Sequence, residues 1–170
     1  YNDAHSNLLF LYAGFNYEAS LYLKEARDYG FRISETVTSR FSSWSCEEEH
    51  QALRVGFVSG DLRNHPVGYF LEGLINELSR TKVELFAYPT NLLEDELTLR
   101  IKPHFAAWQP LSSISDESAA NLIHRDGIHI LIDLSGHTAG NRLPIFAWKP
   151  APVQITWLGY FASTGIAEID

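Results

Sequence analysis

Four short apolar runs alternate with helical stretches over most of this chain. The first, Val55-Gly-Phe-Val58, ends in Ser59-Gly60-Asp61, as a strand buried on both faces does. A helix follows almost at once. Pro66 suits a first helical position, where its absent N–H costs nothing, and Val67, Phe70, Leu71, Leu74, Ile75 and Leu78 make one stripe at helical spacing. Val83 to Tyr88 repeats the strand pattern and stops at Pro89-Thr90-Asn91. Glu94 to Ile101 predicts a helix ending before Pro103, and Trp108 to Leu111 suits a short edge strand. Asp116 and Glu117 open another helix with Ala119, Leu122 and Ile123 inward; His124 and Arg125 suit the negative end of its dipole, and Gly127 stops it. The remaining runs are Ile128 to Asp133 and Val153 to Leu158, separated by Leu134-Ser-Gly-His-Thr-Ala-Gly140 and a short helix around Arg142 to Ala147.

Ahead of these lies a section that reads as helical to about Gly30, with Ala19, Tyr22, Leu23 and Ala26 on one face and Gly30 as its stop. Phe31 to His50 is rich in Ser, Thr and Glu without a sustained period and predicts a wrapping connection. The expected organisation is therefore a helical segment and connection over 1–50, then an α/β domain over 51–170. Strand and helix alternating through helix-bearing crossovers imply a Rossmann-like three-layer α/β domain with a mostly parallel sheet, whose ligands gather beyond the carboxyl ends of the strands.

Composition narrows the function. The 170 residues carry 13 Lys and Arg against 21 Asp and Glu, a formal charge of −8. With 45% hydrophobic and 20% charged residues the chain can bury a core and is not a disordered polymer. An acidic balance offers no footprint for a phosphate backbone or an anionic membrane, so neither nucleic acid nor membrane is an expected partner. Asn7 to Phe15 lacks a basic leader and is too short to span a bilayer. Cys46 is the only cysteine, which leaves no internal disulfide and fits a reducing, cytoplasmic setting. Both ends are expected to be cuts in a longer chain.

The predicted carboxyl edge gathers Ser59-Gly60-Asp61 with Asn64-His65, then Thr90-Asn91, then Asp133 with Ser135-Gly136-His137-Thr138, then Gly159-Tyr160. Asp61 and His65 bracket a strand-to-helix turn, so a carboxylate and an imidazole can both face the crevice for proton transfer and hydrogen bonding. The same trio also fits a helix cap, with Asp61 and Asn64 capping and His65 preceding a proline. His137 lies in a turn composition common to exposed loops. Neither His124 nor His129 needs a role beyond its element. No pair of the seven histidines has the spacing that places two imidazoles on one helix face, so no metal is expected. A Gly-x-Gly-x-x-Gly loop opening a helix, a Walker loop and a Gly-x-Ser-x-Gly elbow are all absent, which disfavours dehydrogenases, NTPases and the commonest hydrolases.

Three long segments carry a family resemblance: Arg54-Val-Gly-Phe-Val-Ser-Gly-Asp-Leu-Arg-Asn-His-Pro-Val-Gly-Tyr-Phe70, Asp126-Gly-Ile-His-Ile-Leu-Ile-Asp-Leu-Ser-Gly-His-Thr-Ala-Gly140 and Pro150-Ala-Pro-Val-Gln-Ile-Thr-Trp-Leu-Gly-Tyr160. In that order they resemble the N-terminal catalytic lobe of the O-linked N-acetylglucosamine transferase family, in its bacterial, SPINDLY-like form. His5-Ser-Asn-Leu-Leu9 is similar to the family's segment joining tetratricopeptide helices to that lobe. The resemblance implies a two-lobed glycosyltransferase of the GT-B type, in which this chain is the acceptor-side lobe and a C-terminal lobe outside it holds most of a UDP-sugar. It implies inverting transfer of N-acetylglucosamine from UDP to Ser or Thr hydroxyls of proteins, with no metal or other cofactor.

By position, Asp61, His65 and His5 match the family's catalytic residues and Asn64 its Asn-His-Pro motif, while Leu158, Gly159 and Tyr160 match the segment beside the acceptor. His137 and Thr138 fall in its substrate-binding loop. An Asp acting through water, a histidine and the donor phosphate all remain open as acceptor of the hydroxyl proton. Two departures stand out. Gly136-His137-Thr138-Ala139-Gly140 lacks the lysine of the animal Gly-Tyr-Thr-Lys-Gly, which gives His137 a different part, and Phe161-Ala162 replaces the usual Pro-Gly. O-fucosyl transfer from GDP-fucose is an alternative, since SPINDLY-type members share these motifs. A non-catalytic protein-binding domain is a third reading, against which the retained Asp61, Asn64 and His65 argue.

Overall fold

A computed structural model describes residues 2–15, 18–47 and 52–170. Five parallel strands, β1 (Leu53–Ser59), β2 (Val83–Pro89), β3 (Ala107–Trp108), β4 (Ile130–Asp133) and β5 (Val153–Thr156), form one sheet in the order β3-β2-β1-β4-β5. Helices α1 (Asn2–Gly14), α2 (Ala19–Ser34), α3 (Pro66–Leu78), α4 (Glu96–Ile101) and α5 (Asp116–Arg125) flank it, with 3₁₀ turns at Ser45–Glu47, Lys102–His104 and Leu143–Trp148. None of the described helices is long and apolar enough to cross a membrane.

Alternation along each strand builds two cores. Phe57, Leu85, Ala87 and Ile132 pack with Leu71 and Ile75 of α3 and Leu97 and Ile101 of α4. On the opposite face Val58, Phe86, Tyr88 and Leu131 pack with α5, the Leu143–Trp148 turn and α2. Leu9, Tyr22, Ala26, Tyr29 and Ile33 of the first two helices are buried in that same cluster, so the N-terminal helices share the core of the α/β layers. A buried aliphatic or aromatic side chain contributes about 1.5–3 kcal/mol, which makes this docking a substantial part of the fold.

The helical section expected to stop at Gly30 is instead two helices, and α2 runs through Gly30 to Ser34. Gly30 serves close approach, not termination: a Cβ there would lie 1.8 Å from the Gly165 carbonyl oxygen. Gly165, at φ +75°, returns the fit, since its Cβ would lie 1.8 Å from the Ala26 carbonyl oxygen. Other shifts are small. The helix expected from Glu94 begins at Glu96, because Asp95 caps it, and the short helix near Arg142 is a 3₁₀ turn from Leu143. The connection does wrap: the Phe41 N–H donates to the Trp148 carbonyl at 3.0 Å and the Trp44 indole to Lys149 at 3.0 Å. His124 stacks on Phe41 with centroids 3.8 Å apart, a role beyond its helix end. The end of the connection, 48–51, lies outside the described residues.

Candidate active site

The strand order reverses between β1 and β4, so the chain leaves these neighbours in opposite directions and opens a crevice at their carboxyl ends. Two loops line it, 59–65 after β1 and 134–141 after β4. The β5 loop closes one side: a Cβ on Gly159 would fall 1.8 Å from the Leu134 carbonyl oxygen and 3.4 Å from Val67 Cγ2. Glycine at 159 therefore lets this backbone lie against both the β4 loop and the start of α3.

His65 is the extended N-cap of α3 with Pro66 behind it, and its Nδ1 accepts the Val67 N–H at 3.3 Å. Asp61 Oδ2 stands 3.6 Å from the same nitrogen, and the two side chains are 14% and 39% exposed, so both stay partly open to solvent at the carboxyl end of β1. Arg63 donates to Asp61 Oδ1 at 3.4 Å and to the Gly60 carbonyl at 3.2 Å. Gly68 allows the turn to fold onto the helix, since a Cβ there would meet the Arg63 carbonyl oxygen at 2.1 Å. The cap of α3 is thus His65 itself, where Asp61 and Asn64 were expected, and the carboxylate and the imidazole lie close together in the same turn. When Nδ1 accepts the Val67 N–H, Nε2 carries the ring N–H; a proton on Nδ1 instead faces Asp61 Oδ2.

Asn64 presents Oδ1 to the Tyr69 hydroxyl at 3.3 Å, and its backbone N–H donates to Asp95 Oδ2 at 2.6 Å. Asp95 was not singled out in the sequence, although Asp95-Glu-Leu-Thr98 is a capping-box spacing and was the signal available.

In the β4 loop, fully buried Asp133 accepts the N–H groups of Ser135 at 3.1 Å and Gly136 at 2.8 Å and the Thr156 hydroxyl at 2.7 Å. Burial pushes its pKa up, against the pull of those three bonds. The Thr138 hydroxyl donates to Ser135 at 2.8 Å from a half-buried position at the rim. Thr138 also lines a polar cleft of about 460 Å³ with Asn7, Thr90, Asn141 and Arg142, which runs from α1 to the rim.

Three expected site residues point inward. His137 has 0% exposure; Nε2 donates to the Thr164 carbonyl at 3.0 Å, so Nδ1 accepts the Ser6 hydroxyl at 2.9 Å, and neither nitrogen is left for a substrate. Burial pushes its pKa down to about 4, with the Thr164 bond opposing and His5 assisting. Tyr160 is buried, with its hydroxyl 2.8 Å from that of Tyr22 and its Cβ where a Cβ on Gly136 would clash. His5 faces α2: Arg32 donates to Nδ1 at 3.4 Å, and Nε2 lies 3.4 Å from Glu25. Its partners are on α2 and not in the Asp61–His65 turn. His5, Tyr29, His137 and Tyr160 instead form an edge-to-face series with centroids 5.6, 4.9 and 5.5 Å apart.

Leu158 adopts φ +71°, and the Gly159 N–H donates to Trp157 at 2.9 Å. That is a γ-turn with its centre at positive φ, a strained conformation for a leucine. Asp61, Asn64 and His65 thus lie in the loop after β1, Thr138 in the loop after β4, and Leu158 and Gly159 in the loop after β5, whereas His5, His137 and Tyr160 are buried. Among the described residues no group of three or more His, Cys, Asp or Glu side chains is placed to hold a metal ion.

Known proteins resemble this chain along most of its length. The chain is 32% identical over 149 residues to the probable UDP-N-acetylglucosamine–peptide N-acetylglucosaminyltransferase SPINDLY of Arabidopsis thaliana, covering 85% of this chain and 16% of that protein. It is 40% identical over 126 residues to the UDP-N-acetylglucosamine–peptide N-acetylglucosaminyltransferase of Caenorhabditis elegans, covering 71% of this chain and 11% of that protein. The chain thus spans about a sixth or less of the length of these relatives. A solved structure of an O-GlcNAc transferase mutant from Thermobaculum terrenum superposes over 100% of this chain and 33% of its own, with a TM-score of 0.91 and 37% identity. The model of glycosyl transferase family 41 matches residues 33–170, most of the sequence, and with the crevice described above the chain belongs to that family.

Proposed function

We propose that this chain is the acceptor-side lobe of a two-lobed GT-B enzyme that transfers N-acetylglucosamine from UDP-N-acetylglucosamine to Ser or Thr hydroxyls of proteins. The observation that carries the reading is the Asp61–His65 pair, 3.6 Å apart and partly open to solvent at the carboxyl end of β1, where the strand order reverses. The names of the family relatives supply the donor and the peptide acceptor.

In the reaction the acceptor oxygen bonds to the anomeric carbon as its proton passes to the departing diphosphate or, through water, to Asp61, the bond from that carbon to the diphosphate oxygen breaks, and UDP departs. Of the groups lining the crevice, His65 is bound to hydrogen-bond rather than to act as base while Nδ1 caps α3, because Nε2 then carries the proton. Nε2–H is suited to hold the acceptor hydroxyl or a donor oxygen in line, a positioning role that supplies effective concentration. The positive end of the α3 dipole lies behind the same turn and favours the developing charge on the diphosphate. The donor is the only small-molecule partner in this proposal, with no resident metal, nucleic acid or membrane. A second lobe, a tetratricopeptide array ahead of α1 and a cytoplasmic setting belong to it as well.

The test is donor competition with the full-length protein and a Ser-containing acceptor peptide. Transfer from UDP-N-acetylglucosamine, unaffected by excess GDP-fucose, is the expected outcome. Transfer from GDP-fucose instead would replace the donor, and transfer from neither would leave a protein-binding domain.

A further inference from the structure

The Asp61–His65 turn is held from outside by the capping box of α4. Asp95 Oδ1 accepts the N–H groups of Leu97 at 3.0 Å and Thr98 at 3.1 Å, and the Thr98 hydroxyl lies 3.2 Å from the Asp95 N–H. Each member has a further bond that helix capping does not require. Asp95 Oδ2 accepts the Asn64 N–H at 2.6 Å, and the Thr98 hydroxyl donates to the Leu62 carbonyl at 2.8 Å. These two anchors grip the turn on either side of Arg63, between Asp61 and His65. Thr98 is 1% exposed, so its hydroxyl has no water to replace the bond to Leu62.

We propose that Asp95 and Thr98 are positioning residues for this site: they fix the backbone of the turn so that Asp61 and His65 face the crevice together. The inference deepens the transferase reading and rests on it. Neither residue touches the crevice side chains, so their effect is on geometry, where a displacement of about 1 Å costs on the order of a hundredfold in rate.

The variant that separates capping from positioning is Asp95→Ser; Thr98→Val removes the Leu62 bond together with the capping-box bond to the Asp95 N–H, with Thr98→Ser as its conservative control, all in the full-length protein. Serine at 95 keeps an N-cap oxygen for α4 but leaves none for Asn64. The measurements are kcat and KM for donor and acceptor, and amide hydrogen exchange over residues 61–65. In Asp95→Ser and Thr98→Val, kcat is expected to fall about tenfold or more with donor KM within about twofold, and exchange at the turn to accelerate. Thr98→Ser should retain both wild-type values. Unchanged kcat in both disruptive variants, or unchanged exchange at the turn, overturns the proposal. If the wild-type protein transfers nothing, the transferase reading fails by itself, and the exchange rates still decide whether Asp95 and Thr98 hold the turn.

Discussion

Ser6 of α1 and His137 of the β4 loop, 131 positions apart, meet through a 2.9 Å hydrogen bond that ties the N-terminal helix to the rim of the sheet. In the neutral ring that burial favours, Nδ1 accepts the Ser6 hydroxyl while Nε2 donates to Thr164. Folded His137 titrates near 4, below the ordinary value of 6.5. Its contribution to stability is therefore complete above about pH 6.5, declines as the unfolded chain takes up the proton first, and is gone by about pH 4. A shift of that size corresponds to roughly 3 kcal/mol. His137→Gln, unfolded by denaturant at a series of pH values, should be less stable than wild type at pH 7.5, with the difference shrinking toward pH 4. A difference independent of pH would contradict the neutral tie.

Asp133 organises the loop that carries His137. As a carboxylate it accepts three hydrogen bonds in a fully buried position, and an amide in its place turns its NH2 toward the N–H of either Ser135 or Gly136. Asp133→Asn should cost about 2–4 kcal/mol in denaturant unfolding, since it leaves buried donors unpaired. A loss near zero would show that the loop holds its shape without this carboxylate.

Two glycines give opposite expectations for the same substitution. Gly73 of α3 has nothing within 4 Å of an added Cβ, so Gly73→Ala should stabilise by about 0.5–1 kcal/mol through helix propensity. Gly159 would drive a Cβ to 1.8 Å from the Leu134 carbonyl oxygen, so Gly159→Ala must displace the β5 loop. A loss of about 2 kcal/mol is expected, with lower turnover in the full-length protein. Equal melting temperatures for the two variants would rule out the close approach of Leu134 and Gly159.

What could be read before the structure was local. The strands and α3 follow from period and from Pro66, and the Asp61-to-His65 turn lies between two such elements, so the nearness of its carboxylate and imidazole was visible in five consecutive residues. The inward residues depended on distant partners. Gly30 resembled a helix stop because the carbonyl that demands a glycine belongs to Gly165, and His137 resembled a surface turn because its partners are Ser6 and Thr164. His5 shares a motif with the expected site yet meets Glu25 and Arg32, a matter of helix packing that no local pattern states. Asp95 was legible as a cap but not as an anchor, because its second oxygen reaches a loop contributed by a different strand.

The central claim is that the turn after β1 places His65 where transfer takes place. His65→Ala in the full-length protein, assayed with UDP-N-acetylglucosamine and an acceptor peptide alongside a denaturation curve, tests it most directly. The account predicts that kcat falls about a hundredfold or more while the unfolding midpoint stays close to wild type. Near-normal turnover by a folded His65→Ala protein would contradict it.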